Sequence, residues 1–494
     1  MWAVLAIELA CVTCGPGTEK VDGQCVPVEE GGPTDSAGDS ADSDTDPPEP
    51  GGWEGSTTLP GEAIVLSGQR AQDATGYRLV VRDFDGDGQD DLAVGAVGFD
   101  EGSDYTGRIS VVFGPITQDG LVRDADVHVT GATTHERFGY ELVAVGDLLV
   151  VGDDGPINSS DYDVWPLQVG ASGSIDELSS ALVREGGEAD EAGRSLSGSE
   201  DLTGDGVADL IVGAWKSSQG DNYAGAVYVF SAPEAGQTYA SAEARILGRN
   251  VNSYNLQLGS QVSSLGDVNG DGVADLAAGE SGYFREGVGY PGRIAVFLGP
   301  VDGTMLSDDA DGLIEGVSTN YNFHERDTLA RPGDVDGDGL DDLAAVDYYQ
   351  RDSTGEHLGI LHIVPGGEVE TMTSLLTSPW QLHSESEYAG WRLAELGEAT
   401  GDEADDLLLG VPATDFAGTS SGAAYLVPGG QSGSGSVGDY AQASWYGDGY
   451  GWSAGSGLAA GDLDGDGVLD LVLAAPFANG EVESAGAVFI LPGG

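Results

Sequence analysis

The sequence predicts an all-β protein of seven repeats, arranged as a propeller or a solenoid, and three observations predict it. A nine-residue acidic loop recurs along the chain. Its spacing is nearly constant. The segments between loops are rich in glycine and carry no helical periodicity, which at this repeat length marks propellers and solenoids.

The first loop is Asp83-Phe84-Asp85-Gly86-Asp87-Gly88-Gln89-Asp90-Asp91. Its places 1, 3, 5 and 9 are Asp83, Asp85, Asp87 and Asp91, and place 6 is glycine. Alternation turns these carboxylates toward one point, the glycine allows a sharp turn, and the carbonyl of Gln89 at place 7 can complete an all-oxygen cage. Such a cage on a flexible loop suits calcium better than magnesium, which demands a tighter octahedron. An EF-hand loop begins alike but ends in a glutamate at place 12. Here a strand-like Leu92-Ala93-Val94 follows at once, so the loop is not an EF-hand.

Four further full copies supply Asp201, Thr203, Asp205, Val207 and Asp209; Asp267, Asn269, Asp271, Val273 and Asp275; Asp334, Asp336, Asp338, Leu340 and Asp342; and Asp462, Asp464, Asp466, Val468 and Asp470, the apolar residue offering its carbonyl. A degraded copy runs from Glu398 through Thr400 and Asp402 to Asp406, with Glu403 at place 6. At Gly146-Asp147 the loop is missing and the chain enters Leu148-Leu149-Val150-Val151 directly. First positions at 83, 147, 201, 267, 334, 398 and 462 are spaced 64, 54, 66, 67, 64 and 64 apart. The short interval follows the unit that lacks its loop. Five calcium sites are expected, with a sixth, weak one at Glu398–Asp406. Asp90 and Asp341, beside place 9, are expected to face solvent rather than bind metal.

Each repeat reads as an outer strand (Ala63–Leu66 in the first), a glycine-aromatic turn, a strand into the loop, a short strand ending in Gly-Ala or Ala-Pro, and a glycine-led closing strand such as Gly107–Phe113. The inner strands are apolar at nearly every residue, as expected when both faces of a sheet are covered. Radially packed blades give that environment, which favours the propeller. After Gly486–Leu491 the seventh unit has no outer strand, so residues 63–66 are expected to pair there and remove two open edges.

Phe138-Gly139, the Gly95-Ala96 and Val411-Pro412 strand ends and the Asp83–Asp91 loop resemble FG-GAP repeats. The resemblance covers residues 62–494 and implies the seven-bladed propeller of integrin alpha chains and bacterial surface proteins. It also implies that the calcium loops join the first and second strands of each blade on the lower face, with partner contacts above. The second repeat, lacking a loop, and the sixth, degraded, depart from the pattern. No interval leaves room for an inserted domain.

Composition constrains the partners. The 494-residue chain has 84 acids against 18 lysines and arginines, a net charge of −66. Loop ligands account for 21 of the acids, so most of the excess is solvated surface, which argues against nucleic acid and anionic lipid as partners. No apolar run approaches the ~20 residues of a membrane helix.

Residues 1–27 read as an export signal with a candidate lipoprotein anchor at Cys11 and a small segment in which Cys14 and Cys25 could pair. Ordinary cleavage is the rival reading, since Glu8 interrupts the apolar run and no basic residue precedes it. Residues 28–56, dominated by Glu, Asp, Ser, Gly and Pro, read as an acidic disordered linker. The propeller is expected over 57–494.

Aromatics follow place 9 by six to nine residues: Phe99, Trp215, Tyr283 and Phe284, Tyr348 and Tyr349, and Phe477, with Phe416 slightly further along in the degraded repeat. They either circle the upper opening as a ligand face suited to sugars or cations or cap the blade core. His135-Glu136-Arg137 recurs as His324-Glu325-Arg326 but out of register, which reads as loop surface. There is no nucleophile elbow, HExxH or phosphate loop.

The sequence therefore points to an exported, monomeric, non-enzymatic calcium-binding propeller at the cell surface or outside it. Such a module would act in adhesion or ligand binding toward an extracellular protein or polysaccharide. The alternatives are an extracellular lyase- or hydrolase-type enzyme using the central opening, for which only Lys20 and Lys216 are available as lysines, and a purely structural cell-surface protein.

Overall fold

The computed structural model of the chain describes residues 18–21, 24–27, 53–100, 105–131, 137–153, 163–169, 182, 190–250, 254–318, 323, 328–347, 350, 359–384, 392–480 and 482–493. The chain divides into two units, Met1–Pro47 and Pro48–Gly494. In the first, Thr18–Val21 pairs antiparallel with Gln24–Pro27, placing Lys20 opposite Cys25. Cys11 and Cys14 lie outside the described residues, as do 28–52 of the linker.

The second unit is a seven-bladed β-propeller. Its seven sheets follow in chain order, each beginning with antiparallel strands joined in sequence. The first blade runs Thr75–Arg82, Asp91–Ala96, Arg108–Val112 and Val127–Thr130. The fourth runs Leu258–Gly266, Asp275–Glu280, Arg293–Phe297 and Gly312–Glu315. In the second, Glu141–Val145, Leu148–Gly152 and Val164–Gln168 are the strands among the described residues.

Apolar residues along the inner strands alternate between two destinations. Leu92 and Val94 pack with Leu463, Val472 and Ile490 of the last blade. Ala93, between them, packs with Phe138, Leu149 and Val151 of the second. Seven such clusters are present, one for each junction between neighbouring blades. Both faces of every inner strand are buried, so the strands lose the polar alternation of a half-exposed sheet.

Glycines set how closely blades approach. A Cβ at Gly95 would lie 2.9 Å from the carbonyl oxygen of Gly139, and one at Gly213 2.3 Å from that of Gly259. The glycine of the strand end in one blade thus meets the turn glycine of the next, and Gly139 and Gly259 hold φ of +88° and +81°, a region that favours glycine.

Residues near the N-terminal side of the propeller complete its final two blades. Ile64–Ser67 runs antiparallel to the last inner strand, Val488 facing Leu66. Gly55–Thr58 adds a parallel strand beside Ala443–Tyr446 of the sixth blade. Equivalent parallel fifth strands, Gly120–Leu121, Gly303–Leu306 and Gly433–Ser436, reach the seventh, third and fifth blades. Trp53 is buried with Leu59 and Trp445. The linker composition of 28–56 therefore extends into residues that pack as propeller: Glu, Gly and Ser dominate there, but Trp53 supplies a large apolar surface, and burying it anchors the strand that follows.

Candidate metal centres

The five full loops share one hydrogen-bond scheme. The place-1 aspartate accepts the N–H of place 4 on one oxygen and that of place 6 on the other; for Asp334 these are Gly337, 2.9 Å, and Gly339, 2.8 Å. Asp83, Asp201, Asp267 and Asp462 do the same. Place 5 caps the N–H of place 7 in every case. Gln89, Val207, Val273, Leu340 and Val468 are thereby positioned through their own amides. The place-6 glycines hold φ between +85° and +92°.

Place 9 is a buried hub. Asp342 accepts from Val335 and Asp336 on Oδ2, 3.0 and 3.2 Å, and from Gly366 on Oδ1, 2.9 Å. Asp91, Asp275 and Asp470 likewise reach the place-2 amide and the glycine that follows the third strand. Burial, with neighbouring carboxylates adding to it, pushes Asp275 up to about 7, Asp342 to about 8 and Asp470 to about 6. Asp91 and Asp209 rise from the same first cause. A divalent cation beside these oxygens would favour their charged form.

Three loops gather three carboxylates, each offering an oxygen within 4.8 Å of the others: Asp83, Asp85 and Asp91; Asp334, Asp336 and Asp342; Asp462, Asp464 and Asp470. These are the copies richest in carboxylates. The place-5 residues Asp87, Asp338 and Asp466 stand outside these triads. In the other two loops Thr203 and Asn269 occupy place 3, and both hydrogen-bond to the place-9 carboxylate. An all-oxygen donor set of this kind fits a hard cation.

The degraded loop keeps the fold of the others. Asp406 accepts from Ala399, 2.7 Å, and Gly429, 3.0 Å, and Glu398 accepts from Gly401. Glu403 sits at φ +79°, where the other loops place glycine.

Asp90 and Asp341 are half-buried instead of freely solvated. Asp90 Oδ2 accepts the amide of Asp462, 3.0 Å, and Asp341 Oδ2 that of Asp267, 2.8 Å. Asp405 does the same for Asp334, 2.8 Å. Each reaches the place-1 backbone of the preceding blade, because the residue before that place is a glycine that leaves room for a carboxylate. Sequence reasoning missed these three; the signal was Gly461, Gly266 and Gly333 recurring before place 1.

On the upper face the expected aromatic ring divides. Phe99 is 4% exposed and Trp215 7%. Arg108 and Arg70 lie 3.5 and 4.7 Å from the centre of the Phe99 ring. The Trp215 indole donates to Glu191, 2.9 Å, with Lys216 and Arg194 over its ring. Tyr283, half-buried, donates to Glu315, 2.8 Å, beside Arg293. These three are covered by cations and carboxylates, contrary to an open ligand ring: burying a large ring outweighs exposing it. Phe477 and Phe416 are 45% and 59% exposed, and Phe416 stacks on Tyr446 at 3.7 Å. Tyr348, Tyr349 and both His-Glu pairs of the repeated triplet lie outside the described residues.

First strands of the second to sixth blades line a central cavity of about 220 Å³. Ser195, Ser197, Gln261, Arg331 and Glu395 face it. Arg331 is held among Asp341, Glu395 and Glu200 at 3.4, 3.4 and 3.7 Å.

Comparison with known proteins identifies FG-GAP repeats at residues 75–112, 192–230, 258–297 and 454–491. The chain is thus a seven-bladed β-propeller carrying FG-GAP repeats, and its relatives are integrin alpha chains. Integrin alpha-PS5 of Drosophila melanogaster is 34% identical over 150 residues, 29% of this chain and 14% of that protein. Integrin alpha-IIb of Homo sapiens is 30% identical over 222 residues, 43% of this chain and 20% of that one. Integrin alpha-7 of Rattus norvegicus is 31% identical over 155 residues, 31% and 14% respectively. The matches therefore span a fifth or less of these relatives. No helix among the described residues is long and apolar enough to cross a membrane.

Proposed function

We propose that this chain is an exported, calcium-stabilised propeller that acts as an adhesion or ligand-binding module, without enzymatic activity. The observation that carries the calcium reading is the set of three carboxylate triads on identically folded loops. Asp83, Asp85 and Asp91, with their counterparts at 334, 336, 342 and 462, 464, 470, would hold the ion. Calcium would supply positive charge where buried carboxylates otherwise repel, tying each hairpin connection to its sheet. The loops at Asp201 and Asp267 would bind more weakly, having fewer carboxylates, and the Glu398 loop weakest.

Recognition belongs to the upper face. Phe416, Phe477 and Tyr450 are exposed there, the last at 81%, and backbone bonds Gly451–Thr419 and Phe477–Trp452 join their loops. Rings held open on a rigid scaffold suit an extracellular protein or polysaccharide. The purified propeller, screened with calcium against glycans, cell-wall polymers and surface proteins with turnover monitored, is expected to capture one class without converting it. Turnover of a captured polymer would overturn the non-enzymatic reading. A melting temperature unmoved by chelator would overturn the calcium reading.

A further inference from the structure

We propose that Asp90, Asp341 and Asp405 are latches that couple each metal loop to the loop of the preceding blade, so that calcium bound in one positions the ligands of the other. The inference rests on the metal-loop reading and extends it from single sites to a linked row.

The geometry repeats at three junctions. At two of them the latch residue closes a reciprocal pair of bonds with place 1 of the neighbour. Asp341 accepts the Asp267 amide through Oδ2, 2.8 Å, and donates its own amide to the Asp267 carbonyl, 3.1 Å. Asp405 and Asp334 make the same pair, 2.8 and 2.9 Å. At the third, Asp90 accepts from Asp462, 3.0 Å, a residue 372 positions away in the chain and in the last blade. Space for each carboxylate comes from a glycine before place 1. A Cβ at Gly266 would stand 2.0 Å from the Asp341 carboxylate, one at Gly333 2.2 Å from that of Asp405, and one at Gly461 2.7 Å from that of Asp90.

Position makes these bonds a coupling. The latch is place 8, between the carbonyl of place 7 and the carboxylate of place 9, two of the donors that would hold the ion. Ordering those two fixes place 8 between them. The latch in turn fixes the backbone of place 1, whose own carboxylate is a donor in the neighbouring loop. A bond present only when both loops are ordered gives each ion a share in stabilising the other site, and the effect is reciprocal.

The remaining loops lack the device. Ala274 at place 8 gives Asp201 only a backbone bond, 3.1 Å, and Ala208 and Leu469 have no carboxylate to offer. The loops therefore fall into two linked groups, one joining 267, 334 and 398, the other joining 462 and 83 across the meeting of last and first blades. The loop at 201 stands alone.

The test uses the full chain, as wild type, Asp90→Ala, Asp90→Asn, Leu469→Ala and Asp464→Ala. Calcium binding is followed by calorimetry and amide exchange around residue 462 by mass spectrometry. Asn keeps an oxygen acceptor and serves as the conservative rescue. Expected is an unchanged site number in Asp90→Ala but about tenfold weaker binding at two sites. Calcium should then no longer protect the 462 amide, while Asp90→Asn and Leu469→Ala behave as wild type. Should Asp90→Ala match wild type in both readouts while Asp464→Ala loses one site, the latch is wrong and the metal reading stands. If wild type binds no calcium, both fall. If Asp90→Ala alone unfolds, Asp90→Asn decides: loss of coupling in that folded variant is not expected of an acceptor-only role and overturns the latch.

Discussion

The two faces of the propeller obey different rules. Below, five loops repeat one hydrogen-bond scheme, down to the place-6 dihedral and the place-2 amide that place 9 accepts. Above, the corresponding connections diverge. Phe99, Trp215 and Tyr283 are covered by arginine and lysine, whereas Phe416 and Phe477 are open. Six of the chain's 18 cations, Arg70, Arg108, Arg194, Lys216, Arg285 and Arg293, sit beside those three covered aromatics or their carboxylate partners. Repetition below suits a task the looped blades share, holding each hairpin connection to its sheet. Divergence above suits a surface on which individual blades do different things.

The comparison breaks first if the covered rings are a ligand face after all. Trp215→Ala should remove a buried ring, leaving Glu191 to Lys216 and Arg194, and cost about 3–5 kcal/mol, the usual range for truncating a buried aromatic. Urea denaturation measures it. A variant that unfolds like wild type but loses ligand would move Trp215 to the binding surface.

The lower face has its own test. Asp342→Ala leaves the amides of Val335, Asp336 and Gly366 without their acceptor. At roughly 1 kcal/mol or more for each stranded donor, the loss should approach 3 kcal/mol even in chelator. Asp406→Ala, in the degraded loop, strands the amides of Ala399 and Gly429 and the Thr400 hydroxyl, so it should cost about 2–3 kcal/mol on the same count and change calcium dependence far less. If both variants are silent in chelator, place 9 acts only through metal and the hub assignment fails.

Much of this division was legible beforehand. Period, loop and two-faced apolar strands define the propeller, because each is a local pattern with a fixed structural meaning. The carboxylate content of each loop also anticipated which three would gather as triads. What escaped was anything that depends on which blade stands beside which. Asp341 and an ordinary exposed aspartate look alike in sequence; only the glycine at 266, 75 positions earlier, distinguishes them. The cover over Phe99 likewise comes from Arg70, on the segment leading out of the last blade's outer strand, and from Arg108 in the next strand of its own.

A smaller effect concerns the exception below. Glu403 holds φ +79° where every full loop has glycine. A side chain in that region costs roughly 1 kcal/mol. Glu403→Gly should therefore raise stability by about that amount, less whatever the freed unfolded chain regains, and tighten calcium binding at Glu398–Asp406. No gain in the thermal melt, with or without calcium, would mean the sixth loop is not strained by its departure from the pattern.

The smallest expected change in stability carries the most weight for function. Phe477 is 45% exposed, and its loop is tied to Trp452 through the backbone, which a side-chain truncation leaves alone. Phe416 is similarly open, leaning on Tyr446. Losing two half-solvated rings should cost no more than about 1 kcal/mol together, since surface substitutions away from buried contacts rarely exceed ~0.5 kcal/mol each. Capture of whatever polymer or protein the wild type retains should nevertheless fall sharply in the Phe416→Ala, Phe477→Ala double variant. Aromatic anchors dominate binding out of proportion to their number. Undiminished capture would remove Phe416 and Phe477 from the binding surface and leave Tyr450 as the open ring there. A melt lowered as far as that of Trp215→Ala would show that the open rings are packing elements too, and the distinction between the two kinds of ring would disappear.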